Sequence, residues 1–272
     1  MASASSNPAF TNSPAFTLNA TKAAQLARPS ATENMSAEQL AELYNQPATV
    51  SGADRMTYEN TIQKIAICFA VLMVGAVVGW MIPVLTIPAA IIGFVLALVN
   101  IFKKQPSPGL ILAYAAVEGV FVGGISSIFE ARYEGVVGQA VLGTFVVVGV
   151  TLALFASGKI RASKRATQVF LVAMIGYAAF SLINFVLMLT GVTTGEFGLR
   201  DTLILGIPLG AILGVVVILL AAYSLVLDFT SIKVGVERGA PALFGWQAAF
   251  GVMVTVVWLY LEILRLFAIL RD

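Results

Sequence analysis

Three carboxylates, Glu118, Asp228 and Glu262, stand inside long apolar stretches of this chain, where their chemistry is confined to ions and protons. In lipid an ionised carboxylate is costly, with even mild insertion scales placing Asp at a helix centre at about 2.5–3.5 kcal/mol. Such a group pairs, takes up a proton or holds a cation. The partners that covalent catalysis would need are missing. The 272-residue chain has no histidine, which removes His-containing zinc sites, haem on a proximal His and the Ser-His and Cys-His triads. Its single cysteine, Cys68, lies in an apolar run with no partner for a disulfide and reads as a buried, inert thiol. A Gly-x-Gly-Asp string, which an intramembrane aspartyl protease would need, does not occur. The expectation is a protein that is not an enzyme and holds no resident cofactor. Hard oxygen ligands suit calcium, and Asp228 and Glu118 are the candidate ligands for a transported calcium ion.

Each carboxylate has its own setting. Asp228 lies in Tyr223-Ser-Leu-Val-Leu-Asp228-Phe-Thr-Ser-Ile-Lys233, near the expected inner end of its helix and about 7 Å below Lys233 at helical rise. It reads either as an interfacial Asp paired with Lys233, Lys103 or Lys104, or as a cation ligand or proton-sensing latch whose protonation releases a basic partner and opens a path. Glu118 is nine residues beyond Gly109, about 13 Å into its helix. Gly119 beside it leaves room for a neighbour. No basic residue falls in the middle of any span, so Glu118 is expected to be a neutral acid or to face a polar cavity. Their matching depth suggests that Asp228 couples with Glu118, or with Lys103 and Lys104, at the cytoplasmic half of a central pore. Glu262 comes late in the last span, with Arg265 three residues on, and reads as an ion pair at the outer interface.

The elements that must position these groups are membrane helices. The chain is 59% hydrophobic and 11% charged, against about 25% charged in a soluble domain. Spanning helices need about 20 apolar residues, and seven candidates appear, over 62–82, 85–102, 109–130, 136–157, 168–190, 203–231 and 243–269. Pro83, Pro88, Pro106, Pro108, Gly191, Gly195 and Pro241 punctuate them. With the N-terminus inside, inner loops carry Lys103, Lys104, Lys159, Arg161, Lys164, Arg165, Lys233 and Arg238, and outer loops only Arg132 and Arg200. That bias predicts a multi-pass plasma-membrane protein with its C-terminus outside. Its surroundings are the lipid bilayer, and a net charge of +2 gives no reason to invoke nucleic acid.

Glycine spacing predicts close helix contacts. Gly75 and Gly79, Gly119 and Gly123, and the ladder Gly206, Gly210 and Gly214 lie four apart, which lets backbones approach where apolar burial gives no net drive. Pro208, inside that ladder, is expected to loosen the start of the sixth helix.

Residues 1–55 are a different material, rich in Ser, Ala, Asn, Thr and Pro, with a near-repeat of Asn7-Pro8-Ala9-Phe10-Thr11 in Ser13-Pro14-Ala15-Phe16-Thr17. A secretory signal is not expected, since no apolar core follows a basic start. The tail is expected to be disordered, apart from a short helix over 36–44 opened by a capping box at Ser36-Ala-Glu-Gln39. Residues 56–272 then form the membrane domain. The Phe repeats suggest a second kind of function, a scaffold that docks and restrains a membrane protease or stress-response partner.

The last two helices, with Leu-Asp228-Phe-Thr-Ser-Ile-Lys233 and Trp258-Leu-Tyr-Leu-Glu262-Ile-Leu-Arg265-Leu-Phe, resemble the transmembrane Bax inhibitor motif family over about residues 60–270. The Asn-Pro-Ala-Phe start, the Glu118-Gly119 helix and the long tail are similar to its bacterial, actinobacterial-type branch. The resemblance implies an all-α integral membrane fold of seven transmembrane helices with the last helix central, wrapped by the other six. It also implies a pH-sensitive calcium leak regulated by two aspartates on the sixth and seventh helices. Asp228 matches the first. For the second, the Leu-Tyr-Leu-Glu string points to Glu262, whereas counting back from Arg265 points to Thr255.

Overall fold

The computed structural model describes residues 55–193 and 195–271. The expected tail, its helix over 36–44 and the Asn-Pro-Ala-Phe repeat lie outside the described residues. Seven helices carry the rest: α1 Tyr58–Met81, α2 Thr86–Phe102, α3 Pro108–Arg132, α4 Val136–Ala156, α5 Lys164–Leu189, α6 Leu209–Glu237 and α7 Phe244–Ile269. All seven are long and apolar enough to cross a bilayer, α2 together with the 3-10 turn Pro83–Leu85 that leads into it.

Local chemistry fixes the helix ends. At α1, Thr57 and Asn60 form a reciprocal capping box, each side chain accepting from the other's backbone N–H at 3.1 and 3.3 Å. Pro108 opens α3 at a position where its missing N–H costs nothing. The carboxylate of Glu130 accepts from the N–H groups of Gly135 and Val137 at 2.6 and 2.9 Å and so caps the start of α4.

The sixth helix departs from expectation at both ends. It begins at Leu209, because Pro208 takes the N-cap position. Residues 203–208 form a two-stranded hairpin, Leu203–Ile204 against Ile207–Pro208. Leu205 and Gly206 turn it, both with positive φ, as a two-residue hairpin loop requires. Gly206 is therefore a turn residue and not a packing glycine, with no atom within 4 Å of a Cβ placed on it. At the other end α6 runs on to Glu237, which pairs with Lys233 one turn earlier at 3.7 Å. Gly239 then closes it, with Gly239 N–H donating to Val236 O and Ala240 N–H to Gly235 O, both at 3.0 Å. That is a Schellman cap built on positive φ. Asp228 consequently stands nine residues, about 13 Å, from the helix end rather than one turn from it.

The last helix is central. In α7 67% of the most apolar window is buried, against 11% in α5. Its main neighbours are α6, α1, α4 and α3, while α2 lies against α3 and α5 sits at the periphery against α6 and the 3-10 turn Gly198–Asp201. The tightest contact is α1 on α3. A Cβ on Gly75 would sit 2.3 Å from Ala116 O and one on Gly79 2.0 Å from Val120 O, and on α3 Gly119 and Gly123 meet Leu72 O and Ala76 O at 2.1 and 1.9 Å. The two GxxxG steps thus face each other backbone to backbone. Gly210 and Gly214 do the milder job expected of them, receiving Ile269 and Leu266 of α7.

The start of the described chain is fastened to the α6–α7 connection. Met56 N–H donates to Ala240 O at 2.7 Å, Arg55 bridges to Pro241, and the Lys64 ammonium donates to Ala242 O at 2.6 Å.

Candidate functional site

Asp228 is completely buried. It accepts a hydrogen bond of 2.6 Å from the hydroxyl of Thr255, near the middle of α7. Both residues belong to polar files that face one another in an otherwise apolar core. On α6 the buried residues Ser224, Asp228, Ser231 and Gly235 recur at spacings of four, three and four. On α7 the buried residues Gln247, Gly251 and Thr255 recur every four. Such spacings keep a file on one helix face. Because the helices are antiparallel, the two files run together from Asp228 towards the α6–α7 connection. Towards the opposite end the buried α6 residues become Ala221, Val217 and Gly214, with Leu266 of α7 closed over Gly214. The seam is polar on one side of Asp228 and apolar on the other.

Of the two candidates for the partner of Asp228, the structure brings Thr255 to it and keeps Glu262 away. Glu262 is seven residues further along α7, about 10 Å by helical rise. It is not an ion pair at the surface. Only 3% of it is exposed, because α5 and the 3-10 turn cover this face. The expected bond from Arg265 is present, from Nη1 to Glu262 Oε1 at 2.9 Å. Around it stand residues that sequence reasoning passed over. Tyr177 donates its hydroxyl proton to Glu262 Oε1 and accepts from Arg265 at 3.2 Å and from Arg200 at 2.9 Å. Arg200, read from sequence as an outer-loop charge, is 5% exposed and also donates to Ser181 Oγ at 3.3 Å. Tyr177, Ser181 and Asn184 recur at spacings of four and three on an apolar helix, and that polar stripe was the available signal. Asn184 fastens the turn, donating to Phe197 O at 3.1 Å and accepting from Leu199 N–H at 2.7 Å.

Glu118 lies elsewhere. It is half-buried in a cavity of about 240 Å³ lined by Ala90, Gly93, Phe94, Ala97, Tyr114 and Phe121 of α2 and α3, and neither Asp228 nor Thr255 lines it. Its carboxylate points at Gly93, 3.0 Å from where a Cβ would be, and Tyr114, one turn earlier on α3, lines the same cavity. The geometry thus sets Glu118 apart from the seam it was expected to join. Lys103 and Lys104 are exposed beyond the end of α2, and the ion pair of Lys233 is with Glu237 rather than Asp228. Among the described residues no group of three or more His, Cys, Asp or Glu side chains converges, and the cavity that holds Glu118 is not lined by Asp228.

The seven-helix architecture with its last helix central agrees with a family model described as Bax inhibitor 1 like, which matches residues 7–272. The chain belongs to this family. The match takes in the stretch carrying the Asn-Pro-Ala-Phe repeat as well as the membrane helices, more than the 60–270 expected from the last two helices. No curated protein matches the chain. Within this Bax inhibitor 1-like fold, the place opposite Asp228 is filled by a hydroxyl rather than a second carboxylate, and the late acidic residue, Glu262, belongs to a separate arginine cluster.

Proposed function

We propose that this Bax inhibitor 1-like protein is a pH-sensitive cation leak of the plasma membrane, with calcium as the cargo and the N-terminus in the cytoplasm. The observation that carries the reading is the fully buried Asp228 bonded to Thr255 on the central helix. An intramembrane carboxylate marks a pathway by default. Here the small polar residues that continue from it outline one side of that pathway. A single carboxylate, helped by the Thr255 hydroxyl and by backbone oxygens, is a weak site for a hard cation, and conduction needs binding weak enough for the ion to leave. Protonation removes the charge that attracts the cation and weakens the charge-assisted bond that Asp228 accepts from Thr255. Flux therefore falls as the solution is made acidic. The apolar stretch beyond Asp228 is the closed part of the path.

The test is calcium entry into liposomes carrying the purified full-length chain, from pH 8 to pH 6. The expected result is a flux that declines across this range in the wild type and is low and flat in Asp228→Asn. A flux no greater than that of empty liposomes would sink the reading. The family match begins at residue 7, within the tail, and this favours a second reading, a scaffold whose tail docks a membrane partner. Deleting residues 1–54 separates the two, because a leak survives the deletion and a docking scaffold does not.

A further inference from the structure

The arginine cluster lines a cavity of about 420 Å³ at the α5–α6 connection, on the far side of the bundle from the α6–α7 connection. Its size falls in the range of small-molecule clefts. Around it stand Tyr177, Ser181, Arg200, Glu262 and Arg265, with Phe185 on the lip. Glu262 Oε2 is buried with no hydrogen-bond partner. Arg200 Nη1 stands 3.9 Å from it, beyond hydrogen-bond reach. A buried acceptor of this kind lacks the hydrogen bond it would make in water. A donor brought in by a ligand would realise it.

The charges decide the sign of the ligand. Two guanidinium groups face one carboxylate here. The other acid on the lining, Glu196, is engaged by Arg132 and Tyr133. Asp201, next to Arg200, accepts from Phe197 N–H and does not line the cavity, so the lining side chains leave an excess of one positive charge, which repels a metal cation and attracts a monoanion. The side chain of Arg265 is 32% exposed, so it can reach an incoming group, and a planar guanidinium is suited to phosphate oxygens. Phe185 is 61% exposed and Met188, also on the lining, 38% exposed. On a membrane helix this places the lip against lipid.

We propose that the cavity binds the glycerol-phosphate headgroup of an anionic lipid, its phosphodiester facing Arg200 and Arg265 and a headgroup hydroxyl donating to Glu262 Oε2. A zwitterionic ethanolamine lipid adds no net negative charge and leaves the excess unbalanced. The inference is independent of the leak reading, because its readout is retained lipid and not flux.

The full-length protein in detergent, offered equal phosphatidylglycerol and phosphatidylethanolamine, is examined by native mass spectrometry. The expected result is about tenfold preferential retention of phosphatidylglycerol, a difference of about 1.4 kcal/mol, reduced to the phosphatidylethanolamine level by Arg265→Gln. Equal retention of the two lipids by the wild type, or an undiminished preference in the folded variant, overturns the proposal. Arg265 also supports Glu262, so a second reporter leaves the cluster intact. Phe185→Trp adds fluorescence at the lip, which brominated phosphatidylglycerol is expected to quench more than brominated phosphatidylethanolamine does. Equal quenching overturns the proposal. Relief of the quenching by soluble glycerol phosphate would support the headgroup chemistry and assign the free compound as its source, whereas no relief assigns the lipid.

Discussion

Thr255 donates to Asp228 at 2.6 Å across the α6–α7 seam with both side chains sealed from solvent, so the two residues act as a unit. Hydrogen bonds to charged groups contribute about 1.5–3 kcal/mol. Thr255→Val keeps the shape and removes the donor, and it should lower stability by that amount in thermal unfolding of the detergent-solubilised protein. In Thr255→Val with Asp228→Asn, the two effects should fall short of additive by about 0.5–3 kcal/mol, as for residues in contact. Simple additivity would show that the bond carries no energy.

Glu118 tests whether any buried carboxylate will serve. It occupies the α2–α3 cavity, away from the seam. In the liposome assay Glu118→Gln should keep the decline in flux between pH 8 and pH 6, which Asp228→Asn abolishes. Loss of the decline in Glu118→Gln alone would move the sensor to the α2–α3 cavity.

The α1–α3 contact predicts a sharp contrast among glycines. A Cβ at Gly123 would stand 1.9 Å from Ala76 O, a backbone atom that cannot swing away. Gly123→Ala should cost at least about 1–3 kcal/mol, the usual range for overpacking. Gly149 has nothing within 4 Å, and Gly149→Ala should be neutral or gain up to about 1 kcal/mol from helix propensity. Unfolding midpoints of the two variants decide the matter.

Ion pairs supply a second contrast. Glu262 sits buried between Arg265 and Arg200. Glu262→Gln leaves both cations without their counter-charge, and breaking a buried pair costs about 3–5 kcal/mol. Arg132 and Glu196 are paired but largely exposed, with 62% and 41% of their side chains accessible. Arg132→Gln should cost less than about 1 kcal/mol. Similar losses in the two variants would mean that the Glu262 cluster is far wetter than its burial indicates.

The seven helices were legible because apolar runs of this length have no other stable outcome. The glycine steps of α1 and α3 were legible because small residues four apart have one main use in lipid. The start of α6 was not, because Leu203-Ile-Leu-Gly-Ile207 has the hydropathy of a membrane helix while Gly206 and Pro208 give it the backbone of a hairpin. Distance along a helix was also a poor guide to burial. Glu262 is late in α7, as expected, but α5 and the 3-10 turn cover it from the side, and hydropathy along one strand of sequence carries no lateral information. The same lack hid Arg200, whose loop position disguised a side chain folded inward onto Tyr177. Thr255 could be proposed beside Asp228 only as one of two candidates, because the choice depends on how far α7 slides along α6.

The central place of α7 also has a consequence for how the molecule is made. Lys64 near the start of α1 and Ala242 just before α7 are 178 positions apart, yet they are hydrogen-bonded in the finished fold. A chain synthesised from its N-terminus delivers six helices to the bilayer before the post they surround exists. During that interval α1 and α3 can already close on each other through their glycines, but Asp228 has entered without Thr255. Insertion of α6 and α7 as a joined hairpin, linked through the tight cap at Gly239, would shorten that exposure.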